Sequence, residues 1–226
     1  MAKKKKKKRV LKIKNIIIIL VILVLFGGLF YYFLNMPIKN IYISGNYVIS
    51  DMDILTLADL DEYPSFVLTS GFGIEKKLLT NEYIESVDIN KRLGNVIEIN
   101  VNENRVIAID MDGRAILSNG VITNNIYNNQ DVPRLISYID LEKVSEVAIK
   151  FSRIDSNILR QISEIEYSPV DVDMDRFLLY MNDGNLVYVT LTKIDKLNKY
   201  NDIKDELMDR VGVIYLDSGD YIEVKS

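Results

Sequence analysis

Residues 86–101 read SVDINKRLGNVIEINV, and the fold turns on them. Ser86–Lys91 and Val96–Val101 alternate as strands do, and Leu93-Gly94-Asn95 joins them as a tight turn. In the second strand Ile97, Ile99 and Val101 point to one face, Val96, Glu98 and Asn100 to the other. Upstream, residues 38–43 (IKNIYI) give another strand, closed by Ser44-Gly45-Asn46. Ser50-Asp51-Met52-Asp53 resembles a capping box, with Ser50 as N-cap and Asp53 as its acidic partner. Ile54, Leu55, Leu57 and Ala58 continue it as a short helix that fades over Asp59–Pro64. Residues 64–73 are expected to be a loop and 74–83 a second helix. The order is strand, helix, helix, strand, strand, a unit able to bury one sheet face under two helices.

Downstream of Glu103 the rhythm changes to hairpins. Asp112-Gly113, Asn119-Gly120 and Asp183-Gly184 are turn dipeptides that join adjacent antiparallel strands. The last separates RFLLYM from LVYVTL. Between them lie a proline-containing loop, Asp131–Leu135, and a helical stretch over about 141–165. A further helix is expected over about 192–209, where Ile194, Leu197, Tyr200, Ile203 and Leu207 fall at helical spacing. Val213–Leu216 and Tyr221–Val224, around Asp217-Ser218-Gly219, form a closing hairpin.

Toward the N-terminus, Ile16–Leu34 reads IIIILVILVLFGGLFYYFL without a charge. At helical rise this run is about 28 Å long, close to the thickness of a bilayer's hydrocarbon core. Tyr31 and Tyr32 lie where an aromatic belt would sit, and Asn35-Met36-Pro37 stops the helix. Lys3, Lys4, Lys5, Lys6, Lys7, Lys8, Arg9, Lys12 and Lys14 precede the span, and only Lys39 closely follows it. The positive-inside rule then puts the N-terminus in the cytoplasm and the body outside. The run is longer than a signal-peptide core and YYFLNMP offers no small-x-small cleavage site, so an uncleaved anchor is expected. Nuclear targeting or RNA binding is the competing reading of the lysines, and their place before an apolar run favours topology. Gly27-Gly28 is treated as incidental to helix packing.

Nine of the 28 bases sit in that tail, leaving 19 against all 32 acids, a formal −13 for the remainder. So acidic a body repels phosphate backbones, and no nucleic-acid partner is expected. The chain has no cysteine and no histidine. Disulfides, thiolate nucleophiles, His-ligated zinc and Ser-His-Asp triads are thereby excluded. Asp171, Asp173 and Asp175 echo the start of a calcium loop, but Arg176 stands where its glycine belongs and Asn182 where its glutamate does. A solvated strand face is expected there instead. No catalytic residue, cofactor or metal site is assigned.

IKNIYISGNYVISDMDI (38–54), YIESVDINKRLGNVIEINVNENRVIAI (83–109), ILSNGVITNN, DVPRL and RVGVIYLDSGDYIEV (210–224) together resemble the bacterial division proteins of the FtsQ or DivIB type. The second stretch carries their V-x-E-x-x-x-x-A ending at Val101, Glu103 and Ala108. That resemblance implies an α+β chain: a basic tail (1–15), a transmembrane helix (16–34), a POTRA-type β-α-α-β-β domain (35–106) and a mixed antiparallel sheet domain with helices, the β domain (107–226). Relatives often have proline in the strand turn, where this chain has Leu93-Gly94-Asn95, and often continue into a tail where this sequence stops at Ser226. The implied function is a non-enzymatic scaffold at the septum. It would bind the single-span coiled-coil proteins FtsL and FtsB or DivIC outside the cell, and help recruit and regulate septal peptidoglycan synthesis.

The resemblance also implies strand addition to the last strand, here Tyr221, Ile222, Glu223 and Val224. Physics agrees independently, because a terminal strand at a sheet edge has unpaired amides that a partner strand can use. A signal-anchored cell-wall enzyme or transport accessory, docking through a POTRA-like unit, is the alternative reading of the whole chain.

Overall fold

A computed structural model describes residues 13–127, 131–208 and 210–224. Its first element, α1 (Ile13–Leu34), begins one turn before the uncharged run and takes in Lys14. None of its residues is buried, and it is long and apolar enough to cross a membrane. A helix apolar all round has no polar face to turn to water. The chain leaves it at Asn35, whose amide and side chain both donate to the Tyr31 carbonyl, at 3.1 and 2.8 Å.

The body divides into two compact units: one holds residues up to Ser44, Asp51–Leu78 and Val87–Val101, the other Gly45–Ser50, Leu79–Ser86 and Asn102–Ser226. The first is built on a three-stranded sheet ordered β1-β3-β2, from β1 (Asn40–Ser44), β2 (Ile84–Arg92) and β3 (Val96–Glu103). β1 runs parallel to β3, Asn40 opposite Val96 and Ser44 opposite Asn100. The central strand alternates as its sequence requires, with Ile97, Ile99 and Val101 buried. Helices α2 (Asp51–Leu57) and α3 (Gly71–Leu78) bury Ile54, Ile74 and Leu78. Gly94 and Asn95 both take positive φ in the hairpin turn, as twist-matched two-residue turns require.

The second helix is shifted from the expected 74–83. It starts at Gly71 because Ser70 caps it, its Oγ accepting from the Gly73 amide at 3.3 Å and its carbonyl from the Ile74 amide at 3.1 Å. Two glycines in the first turn disguise that start as loop. Its end comes at Leu78, and Asn81 then turns the chain by accepting the Tyr83 amide at 3.0 Å.

A nine-stranded sheet organises the second unit, in the order β12-β11-β10-β9-β8-β7-β4-β5-β6. The strands are β4 (Val106–Ile109), β5 (Ala115–Leu117), β6 (Ile122–Thr123), β7 (Arg134–Leu135), β8 (Ile162–Tyr167), β9 (Arg176–Met181), β10 (Leu186–Thr190), β11 (Gly212–Tyr215) and β12 (Tyr221–Val224). The three expected hairpin turns are present, each with its glycine at positive φ: Gly113, Gly120 and Gly184. Helices α4 (Leu141–Phe151), α5 (Ser156–Leu159) and α6 (Tyr200–Glu206) contribute to the core of this sheet, with Phe151 packed edge-on to Phe177 at 5.4 Å.

Four expectations for this unit are corrected. The helix expected over 141–165 ends at Phe151, restarts for one turn and gives way at Ile162 to β8, which is held between β7 and β9. Arg105 fixes the break by donating to the carbonyls of Ser152 and Ile154. Within the loop expected at Asp131–Leu135, Arg134 and Leu135 form β7, paired in parallel with both β4 and β8. The helix expected over 192–209 is a 3₁₀ segment, Leu191–Lys199, kinked at Lys193 and followed by α6. Asp171, Asp173 and Asp175 lie in a turn rather than on a strand face, closed by mutual hydrogen bonds between Val170 and Asp173. There Asp173 accepts from the Asp175 amide at 2.9 Å and Asp175 pairs with Lys143 at 2.6 Å, so both carboxylates are structural.

Candidate partner-binding edge

β12 is the outermost strand of the nine, and among the described residues its one neighbour is β11: Tyr221 faces Tyr215, Ile222 faces Ile214, Glu223 faces Val213 and Val224 faces Gly212. Its other flank carries the backbone groups that a strand leaves free at an edge. Tyr221 and Val224 are 46 % and 41 % exposed, while Ile222 packs against the core. The four residues singled out from sequence are therefore one strand at an edge, with one side chain anchoring it and the others accessible.

That edge exists because β11 joins β10 in parallel, Leu186 opposite Val213 and Tyr188 opposite Tyr215. A parallel neighbour needs a crossover, and the 3₁₀ segment with α6 supplies it. The end of that crossover is locked by a buried polar chain. The Gly212 amide donates to Asn185 Oδ1 at 2.8 Å, Asn185 Nδ2 to Tyr200 Oη at 3.0 Å, and Tyr200 Oη lies 2.8 Å from both oxygens of Asp183. Lys204 closes the chain at 3.0 Å from Asp183. Tyr200 is wholly buried; burial and the Asp183 carboxylate push its phenol pKa up despite the hydrogen bond to Asn185.

The β11–β12 turn is held from two sides. Arg176 Nε, on β9, donates to Asp217 Oδ2 at 2.7 Å, and the two side chains are only 16 % and 8 % exposed. Burial alone would raise the Asp217 pKa, but hydrogen bonds from Arg176 and Ser218 and the Arg176 charge hold it below the usual carboxylate range. Lys193 Nζ donates to the Asp217 carbonyl at 2.6 Å, and Lys196 pairs with Asp220 at 2.5 Å. Asp220 itself takes a positive φ just before β12 begins.

Across the strands runs a stack. The Arg176 guanidinium lies 3.8 Å over the Tyr188 ring, Tyr188 stacks on Tyr215 at 5.2 Å, and Tyr215 on Tyr221 at 4.4 Å, with 12° between the last two planes. Such offset pairs add to area burial and stiffen the strands they join. Tyr215 Oη also donates to Glu223 at 3.3 Å, so a second residue of the edge is tied to β11.

Sequence reasoning missed Arg176, Asn185, Tyr188, Gly212, Tyr215 and Asp217 as supports of the edge. Arg176 opens RFLLYM and stands where a calcium loop needs glycine, and neither position announces a partner at Asp217. Tyrosines on three strands were the available signal, but their alignment needs the register. Among the described residues no group of acidic, histidine or cysteine side chains is placed to hold a metal ion. Of the topology determinants Lys14 lies in the first turn of α1, and Lys3 to Lys8, Arg9 and Lys12 fall outside the described residues.

A chain with this geometry has recognisable relatives. Residues 36–104 match the FtsQ-type POTRA domain family. The chain is 30 % identical over 193 residues to the cell division protein DivIB of Bacillus subtilis, covering 82 % of this chain and 73 % of that one. It is 31 % identical over 192 residues to DivIB of Geobacillus kaustophilus, covering 81 % and 74 %. A solved structure of the major extracytoplasmic domain of DivIB from Geobacillus stearothermophilus aligns at 30 % identity and a TM-score of 0.41, over 49 % of this chain and 98 % of that one.

Proposed function

Because the chain belongs to the DivIB family of cell division proteins, we propose that it is a non-enzymatic scaffold of the division septum that captures partner proteins along β12. Its partners in this reading are the single-span coiled-coil division proteins of the FtsL and FtsB or DivIC type. By binding them outside the cell it helps recruit and regulate septal peptidoglycan synthesis. α1 spans the membrane with the basic tail in the cytoplasm, residues 35–106 form the POTRA domain, and residues 107–226 form the β domain that binds.

One observation carries the proposal: Tyr221–Val224 is the outermost strand of a nine-stranded sheet, with β11 on one flank. A partner strand laid along the other flank gains backbone hydrogen bonds worth about 0.5–1.5 kcal/mol each. The exposed Tyr221 ring offers it an aromatic contact besides. Three or four such bonds with one buried ring amount to several kcal/mol, or orders of magnitude in affinity.

The test stops the chain after Gly219 in the full-length protein. Pull-down of the coiled-coil partners from detergent extracts should fail, while membrane insertion and the circular dichroism of the matching soluble fragment stay close to the parent. A truncated chain that is folded and still captures those partners would refute the edge mechanism.

A further inference from the structure

The C-terminal end of α1 is stitched to two loops of its own compact unit. On one side Ser65 Oγ donates to the Leu34 carbonyl, the Phe66 amide to the Met36 carbonyl at 2.8 Å, and the Ile38 amide to the Pro64 carbonyl at 3.0 Å. On the other, the Lys39 amide donates to the Asn95 carbonyl at 2.8 Å and Asn95 Nδ2 to the Pro37 carbonyl at 3.0 Å. Lys91 ties the first loop further, donating to the carbonyls of Phe66 and Thr69 and lying 4.2 Å from the Phe66 ring centre. Bonds from both loops to residues 34–39 fix them close to the place where the apolar helix stops.

Each loop presents a leucine to solvent. Leu93, at the β2–β3 turn, is 100 % exposed, and Leu68, whose amide donates to Ser65 Oγ at 3.2 Å, is 67 % exposed. The Leu93 Cα lies within about 7 Å of the Cα of Asn95, whose side chain is hydrogen-bonded to the Pro37 carbonyl. A hairpin turn ordinarily carries polar residues, and a fully exposed leucine there forgoes all the gain of burial. In the interfacial layer of a bilayer the same side chain recovers that gain.

We propose that Leu93 and Leu68 dip into the interfacial layer of the leaflet on the body's side of the membrane, so that the first unit rests on lipid instead of swinging from α1. The occupant is the bilayer, argued from continuity with the span: both leucines stand on loops hydrogen-bonded to the residues that leave it. Charge is not the attraction. Asp61 and Glu62 are exposed next to the first loop, Lys39 is exposed beside the second, and Arg92 is already paired with Glu98 at 2.8 Å. This inference rests on α1 being a membrane span, and not on partner capture by β12.

The chain has no tryptophan, so one introduced into the full-length protein is the sole reporter. The full chain is reconstituted in vesicles of phosphatidylcholine and phosphatidylglycerol, with and without lipid brominated near the headgroup end of its acyl chains. Leu93→Trp and Leu68→Trp should emit at shorter wavelength than Ser44→Trp and lose most of their emission to brominated lipid. Ser44→Trp, at the far end of β1, should lose almost none. Phe26→Trp, in the middle of α1, reports the span with lipid brominated deeper in the chains. Quenching of Phe26→Trp with neither leucine position quenched leaves the span standing and overturns the docking. Absence of quenching at Phe26→Trp overturns the span and the docking together. Retained circular dichroism and thermal unfolding of each variant guard against misfolding.

Discussion

A β-carbon on Gly212 would sit 2.8 Å from the carbonyl oxygen of Glu223, across the β11–β12 ladder. The same position would lie 3.2 Å from Leu207 Cδ2, so there is little room to retreat. Any side chain at 212 must push β12 outward or break its pairing. Gly212→Ala is therefore expected to destabilise the sheet by about 1–3 kcal/mol, the usual cost of overpacking. Partner capture should fall more steeply than stability, because the displaced strand is the docking strand. Thermal unfolding and pull-down of the same variant separate the two effects.

The tyrosine stack predicts an order between two substitutions. Among the described residues Tyr215 stacks on both Tyr188 and Tyr221, whereas Tyr221 stacks on Tyr215 alone. At about 0.5–1.5 kcal/mol per aromatic pair, Tyr215→Ala should cost more stability than Tyr221→Ala. Tyr221→Ala should in turn weaken partner binding less than truncation after Gly219, since its backbone bonds survive. Denaturant melts give the first ordering and titrated pull-downs the second.

Much of the first unit is legible in its sequence because local pattern and burial agree. Ile97, Ile99 and Val101 alternate, and they are the buried face of the central strand. Residues 162–167 defeat the same reasoning: Ile158, Leu159, Ile162 and Ile165 fit a helical period, and only the strands on either side make 162–167 a strand. The docking strand is visible as a terminal hairpin arm. Its supports are not, because Arg176 reaches Asp217 and Tyr188 reaches Tyr215 through a parallel crossover that no local pattern announces.

Acid should loosen the edge through Asp217. Its pKa is lowered in the folded state, so its contribution is complete above the unfolded-state value of about 4 and fades as pH falls through the lower folded value. Asp217→Asn leaves the Arg176 charge without its partner and should cost about 3 kcal/mol at neutral pH. That gap should shrink as both proteins are acidified below pH about 4. Urea unfolding across a pH series measures it; a constant gap would show that the carboxylate's charge is immaterial.

Glu103, the glutamate of the V-x-E ending, accepts the amides of Tyr47, Val48 and Ile49 at 3.0, 2.8 and 2.9 Å. Bonds to a charged acceptor are worth more than neutral ones; Tyr47 is exposed and its amide can rehydrate, whereas Ile49 is buried. Glu103→Ala should therefore destabilise by about 2–4 kcal/mol, and Glu103→Gln by less, because one amide oxygen remains to accept. Thermal melts of the two variants test the ordering.

Membrane orientation gives a fifth expectation. Protease added to intact protoplasts should digest the body and spare the basic tail, read with tags at either end. Recovery of a soluble protein lacking residues 1–34 would contradict an uncleaved anchor.

The parallel pairing of β10 with β11 also sets an order of assembly. Leu186 meets Val213 only after the whole helical crossover has folded back, so the β11–β12 hairpin, though local, joins the sheet only then. Closing a loop costs entropy before its contacts repay it, so such strands form late. A half-folded chain thus carries its docking strand on an unseated, marginally stable hairpin, however complete its first hairpins are. A partner that reads β12 reads, at one place, whether the sheet behind it has been built.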